Sequence, residues 1–167
     1  MMPDFIQECW HTPVSDAQSL AMVSLLDQNG LHMTLEDLQD PARRRFKFVF
    51  RRIAAYRNLL EEYRMSESSP PHGTGWTVTV SDSPWLAELW TEEPLLDVHS
   101  AGCLHYVIVT EDDVIDILCP KPPEIVEVAP AKADENPPGK LRILYHSYDE
   151  EQIEQIVEDI TERKPDI

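Results

Sequence analysis

Arg45-Phe46-Lys47-Phe48-Val49-Phe50-Arg51 is the stretch on which the fold turns. Its charged and apolar residues alternate with a period of two, and aromatic and β-branched side chains suit the pleated, half-buried surface of a strand. A second reading stands beside it, because Phe46, Val49, Phe50, Ile53, Leu60 and Tyr63 recur at helical spacing and Asp40-Pro41 is a sound helix opening. The two readings aim the cations differently. A helix would set Arg44, Arg51 and Arg52 beside the acids of its own far end, whereas a strand would put Arg45, Lys47 and Arg51 on one face of a sheet.

Upstream, Ser15 to Asn29 carries Leu20, Met22, Val23, Leu25 and Leu26 after a Ser/Asp start and before Gly30, which predicts a first helix stopped by a glycine. Thr34 with Asp37 predicts a capping box and one more helical turn. Downstream, residues 66–75 hold two prolines and two glycines and read as a loop. Trp76-Thr77-Val78-Thr79-Val80 alternates as a strand, and Ser83-Pro84 opens a short helix through Trp85 to Trp90. Leu104 to Val109 and Val114 to Cys119 are apolar runs about an acidic turn, hence a hairpin. Residues 120–139 hold six prolines and read as an exposed, acidic connection around an Ile125–Val128 strand. Leu141 to Tyr145 suggests a further strand. Ser147 with Glu150 caps a terminal amphipathic helix whose apolar stripe is Ile153, Ile156, Val157 and Ile160. The sum is one α+β domain over residues 1–167, a mainly antiparallel sheet flanked by N-terminal and C-terminal helices.

Charge constrains partners more than chemistry. The 167-residue chain has a formal net charge of −17, yet eight of its fourteen basic residues fall between Arg43 and Arg64, so elsewhere six bases face twenty-nine acids. Such a surface argues against direct nucleic-acid binding, which draws its affinity from clustered Lys and Arg, and favours a basic protein partner. The arginines between Phe46 and Tyr63 are interleaved with so many apolar residues that they read as counter-charges packed beneath an acidic shell. Acidity that only keeps the chain soluble is the plainer alternative. No apolar run is long enough for a membrane span, the start lacks the pattern of a secretory signal, and Cys9, Cys103 and Cys119 suit reduced thiols, so a cytoplasmic protein is expected. Five glycines and no phosphate loop leave no nucleotide fingerprint, and no cofactor is expected.

Candidate site residues fall into three groups. His105-Tyr106-Val107-Ile108-Val109, a turn, and Val114-Ile115-Asp116 resemble the part of papain-like cysteine hydrolases in which a strand histidine is followed, one strand later, by an orienting aspartate. That resemblance implies Cys9 as thiolate, His105 as its base and Asp116 as the group fixing the ring's tautomer. A strand histidine and a hairpin aspartate are explained as readily by core and turn. His99, Cys103, His105 and Cys119 invite a metal reading but lack paired ligand spacing, so no metal is expected and the thiols read as small core hydrophobes. Finally, Trp85 and Trp90 with Glu92, Glu93, Asp97, Glu111, Asp112 and Asp113 compose the surface expected to meet a basic partner. The acids among them are also what turns and helix N-termini use for themselves.

Phe48 to Glu62, Gly75 to Leu89 with Asp82-Ser83-Pro84-Trp85-Leu86, and His105 to Pro123 together resemble small uncharacterised bacterial proteins of the immunity or accessory kind. The resemblance covers the middle half of the chain, implies strands rather than helix over Phe46 to Arg57, and brings no catalytic residue. It implies a binding protein.

Overall fold

The computed structural model describes residues 6–60, 76–92 and 102–136. The chain divides into two compact units, Met1–Glu135 and Asn136–Ile167, and the fold set out here is that of the first. Among the described residues nine strands and one helix follow in order: β1 (Ile6–Cys9), β2 (Leu20–Asp27), β3 (Leu31–Asp37), β4 (Arg45–Phe50), β5 (Ala55–Leu60), β6 (Thr77–Ser81), α1 (Pro84–Glu92), β7 (Leu104–Val109), β8 (Asp113–Cys119) and β9 (Glu124–Val128). They form a five-stranded sheet ordered β1-β6-β7-β8-β5 and a four-stranded sheet ordered β2-β3-β4-β9. Every pairing is antiparallel.

This corrects the α+β expectation. About half of the described residues are strand and α1 is the one helix among them. The predicted helix over Ser15–Asn29 is instead β2 and the turn that follows. Its sequence imitates a helix because of a bulge: Met22 pairs with Leu35 and Ser24 with Thr34, so Val23 is one residue extra. Leu20, Met22 and Leu25 thereby all reach the core, at a spacing that breaks the two-residue rhythm of a plain strand. Gly30 does not end a helix; with Asn29 it makes the β2–β3 turn, both at positive φ (115° and 54°), the conformations that make Asn-Gly a hairpin signal. Nor does Thr34 cap anything, since it lies within β3. Asp37 accepts hydrogen bonds from the main-chain N–H of Ser19 (3.2 Å) and Gln39 (3.0 Å). The predicted C-terminal helix and the Leu141–Tyr145 strand lie outside the described residues.

In Arg45–Arg51 the strand reading holds, with Lys47 and Arg45 on the outer face of the four-stranded sheet and Phe48 and Phe50 fully buried. Leu20, Met22, Leu31, Met33, Leu35, Phe48 and Phe50 of one sheet meet Tyr106, Ile108, Ile115, Ile117 and Cys119 of the other in a single apolar core. Trp10 sits within it, its ring 4.9 Å from that of Tyr106 and 5.9 Å from that of Phe48. The opposite face of the five-stranded sheet carries α1, where Leu86 packs with Cys103, Leu118, Ala54 and Ala55. β8 is therefore covered on both sides, which is why it reads as a continuous apolar run. Among the described residues no helix is long and apolar enough to cross a membrane.

Candidate functional site

Four polar side chains meet beneath α1. Arg57 on β5 stands directly opposite Asp116 on β8, and Asp116 opposite Val107 on β7. His105, two residues before Val107, shares its face and reaches Asp116 diagonally, a separation long side chains can span. His105 Nε2 lies 2.7 Å from Asp116 Oδ1, and Arg57 Nε donates to Asp116 Oδ2 at 3.0 Å. On the other side of the ring, Ser83 Oγ lies 2.8 Å from His105 Nδ1 and also accepts the Leu86 N–H at 3.2 Å, as an N-cap does. A ring proton on Nε2 satisfies every partner, because Ser83 then donates to Nδ1 while the imidazole donates to the carboxylate. Trp85 closes the group, with its ring under the Arg57 guanidinium at 4.4 Å and edge-on to His105 at 5.5 Å.

Hydroxyl, imidazole and carboxylate in this order form the relay that activates a serine nucleophile. Access decides against that use. Ser83 is 5% exposed and His105 4%, and the serine oxygen already serves as the cap of its own helix. What the arrangement does is fasten the start of α1 to the sheet, with the Arg57 guanidinium compensating a fully buried Asp116.

Cys9 is not part of this group. It pairs with Val78 in β1, so β6 lies between it and β7, roughly 10 Å across two strand spacings. Its thiol is exposed and lies 4.0 Å from His11 Nδ1, while both ring nitrogens of His105 are occupied by Ser83 and Asp116. His105 and Asp116 are thus brought together and Cys9 is not. Cys103 and Cys119 are separated by the sheet, the first packing under α1 and the second in the inter-sheet core. Burial pushes both thiols above their ordinary value, and Cys119 Sγ donates to the Arg51 carbonyl at 3.1 Å. Among the described residues no three metal-binding side chains converge; His99 lies outside them.

The residues expected to meet a basic partner separate into two places. Trp85 is half-buried, while Trp90, 38% exposed, and the exposed Glu92 stand on α1 near the start of β7. Glu111, Asp112 and Asp113 form the turn at the far end of that strand. There Glu111 is exposed and accepts the Ser19 hydroxyl at 2.8 Å, Asp112 is half-buried, and Asp113 is buried with its main chain bonded to Thr110. Glu93 and Asp97 lie outside the described residues.

Within the basic segment Arg43, Arg45 and Arg57 turn toward buried acids, while Arg44, Arg51 and Arg52 stay exposed. Arg43 Nε and Arg45 Nε each donate at 2.8 Å to a different oxygen of Glu36, a carboxylate with no exposed surface, and Arg45 also reaches Glu135 at 2.7 Å. Arg43 Nη1 donates to the Glu135 carbonyl at 2.7 Å, which ties the Pro-rich connection beyond β9 back onto β4. Arg44 pairs with Asp40 at 2.8 Å and, more loosely, Arg51 with Glu124 at 3.7 Å. Sequence reasoning missed Glu36 as the hub of this brace and missed Ser83 and Arg57 around His105. The Ser-Pro helix opening was legible, whereas the second bond of Ser83 depends on which strand α1 lies against. No family model matches this chain, and no curated protein or solved structure is significantly similar to it.

Proposed function

We propose that this protein is a non-enzymatic binding protein whose acidic surface engages a basic protein partner, as an immunity-type inhibitor of a cationic toxin or nuclease would. One observation carries the reading: Arg43 and Arg45 converge on the buried Glu36 and Arg57 on the buried Asp116, so three of the chain's fourteen basic residues serve the interior of a chain whose formal net charge is −17. Complementary charge of this kind speeds encounter and rejects wrong partners. The buried Ser83–His105–Asp116 clamp supports a role for α1 as the presenting element, because it holds a short helix against the sheet through Leu86 while the exposed Glu88 and Glu92, four residues apart, share the opposite face. A pair of carboxylates on one exposed helix face, with the partly exposed Trp90 on the same helix, suits an arginine-rich surface. Three free cysteines fit a cytoplasmic location.

The test is retention of host proteins on the immobilised chain at low and then moderate salt, alongside a Glu88→Lys/Glu92→Lys variant. A basic protein held by the native chain, released by salt and lost from the variant is the expected result. Binding that ignores salt, or no basic protein at all, overturns the reading. So would covalent labelling of Ser83 by a fluorophosphonate, which reports an activated serine and would return the His105–Asp116 pair to catalysis.

A further inference from the structure

The outer face of the four-stranded sheet carries a concavity of about 240 Å³ lined by Ser24, Leu26, Gln28, His32, Thr34 and Lys47. Strand register builds it. Ser24 pairs with Thr34 and Thr34 with Lys47, one cross-strand row, while Leu26 pairs with His32 in the next. The Val23 bulge matters here, because the shift it introduces is what turns Ser24 and Leu26 outward onto the same face as Thr34 and His32. Gln28, in the turn after β2, closes one end.

Two features give this hollow a chemical preference. Its lining offers an ammonium, an imidazole, two hydroxyls and a carboxamide, and contains no carboxylate, in a chain with thirty-one acids. Lys47 also differs from the arginines around it. Arg43 and Arg45 share Glu36, Arg44 holds Asp40, Arg51 lies 3.7 Å from Glu124 and Arg57 holds Asp116, whereas Lys47 has no ion-pair partner among the described residues, a state it shares with the exposed Arg52, which does not line the hollow. Glu36, two residues beyond Thr34 on the same strand face, is already saturated by two guanidinium groups and is not available to neutralise it. We infer that this hollow binds the phosphate group of a compact phosphomonoester, with Lys47 as the charge, Ser24 and Thr34 as hydroxyl donors, and Leu26 against the organic part. A lysine serves phosphate well as a point charge, and the volume, below that of typical drug-sized pockets, limits the ligand to a small one.

The test is an NMR titration of the full chain at about 0.15 M salt, where repulsion from the distant acids is screened beyond about 8 Å. The probes are glycerol phosphate, inorganic phosphate and succinate. Saturable shifts confined to β2, β3 and β4, with a Kd of about 1 mM for glycerol phosphate, are expected. Lys47→Gln should weaken binding at least about tenfold while leaving the spectrum of the five-stranded sheet unchanged, and Thr34→Val should weaken it less. Shifts that fail to saturate, that spread over other elements or that persist in Lys47→Gln overturn the assignment. Succinate bound as tightly as glycerol phosphate overturns phosphate as the ligand class.

Discussion

At the scale of single residues, Asp116 and Ser83 do different work in one network. Asp116 is fully buried and receives both Arg57 and His105, so Asp116→Ala strands a guanidinium and an imidazole and is expected to cost about 3–5 kcal/mol. Ser83→Ala removes a helix cap and leaves His105 Nδ1 without its hydroxyl, for a loss of about 2 kcal/mol. Urea unfolding of the two single variants and the double variant checks both values, and coupling between them is expected because they act through the same imidazole. If Ser83→Ala were neutral, the clamp would not hold α1. The roles of these residues were half legible beforehand. The His105–Asp116 pair could be suspected from a strand, a turn and a strand, since neighbours in a hairpin are neighbours in space. Ser83 is twenty-two residues away from His105 and Arg57 fifty-nine from Asp116, and only the pairing of β6 with β7 and of β5 with β8 brings them in.

Among the elements, the β2–β3 hairpin shows how a local signal can point to the wrong structure. Leu20, Met22, Val23, Leu25 and Leu26 match a helical face about as well as a bulged strand, and a glycine after them fits either a helix end or a tight turn. The adjacent Asn29-Gly30 pair was the discriminating signal, because two consecutive residues at positive φ belong to a hairpin. Gly30 is held there twice over. Its φ of 115° strains any side chain, and a Cβ would lie 2.7 Å from the Phe50 carbonyl oxygen, whereas Gly102, also at positive φ (81°), has open space around it. Gly30→Ala should therefore lower stability by about 2 kcal/mol or more and Gly102→Ala by about 1 kcal/mol, read as the difference in urea midpoint. Equal losses would mean that the contact with Phe50 relaxes freely. Elsewhere the elements followed their patterns: β4, β6, β7, β8, β9 and α1 all stand where alternation, apolar runs or a Ser-Pro cap put them.

For the molecule as a whole, charge organises stability as well as partners. Arg44 beside Asp40 and Arg45 beside Glu135 hold those carboxyls below their ordinary values of 3.8 and 4.5. A carboxyl depressed in the folded state is protonated first in the unfolded chain, so the stability it adds is complete above the ordinary range and is lost as pH falls through and below it. Thermal melts from neutral to acid pH should show that fall, shallower in an Asp40→Asn/Glu135→Gln variant, with a modest difference because both pairs are partly exposed. An unchanged acid slope would mean that these pairs contribute nothing. Composition and spacing alone determined the acid excess, the hairpin and the short capped helix, because each depends on residues adjacent in the chain, whereas they left the aromatic stretch open between strand and helix. The two-sheet architecture, the inward turn of the arginines onto Glu36, the splitting of the acidic surface and the hollow around Lys47 were decided by tertiary structure. They depend on strand order and on one extra residue at Val23, and those are set by how two apolar faces close over a shared core.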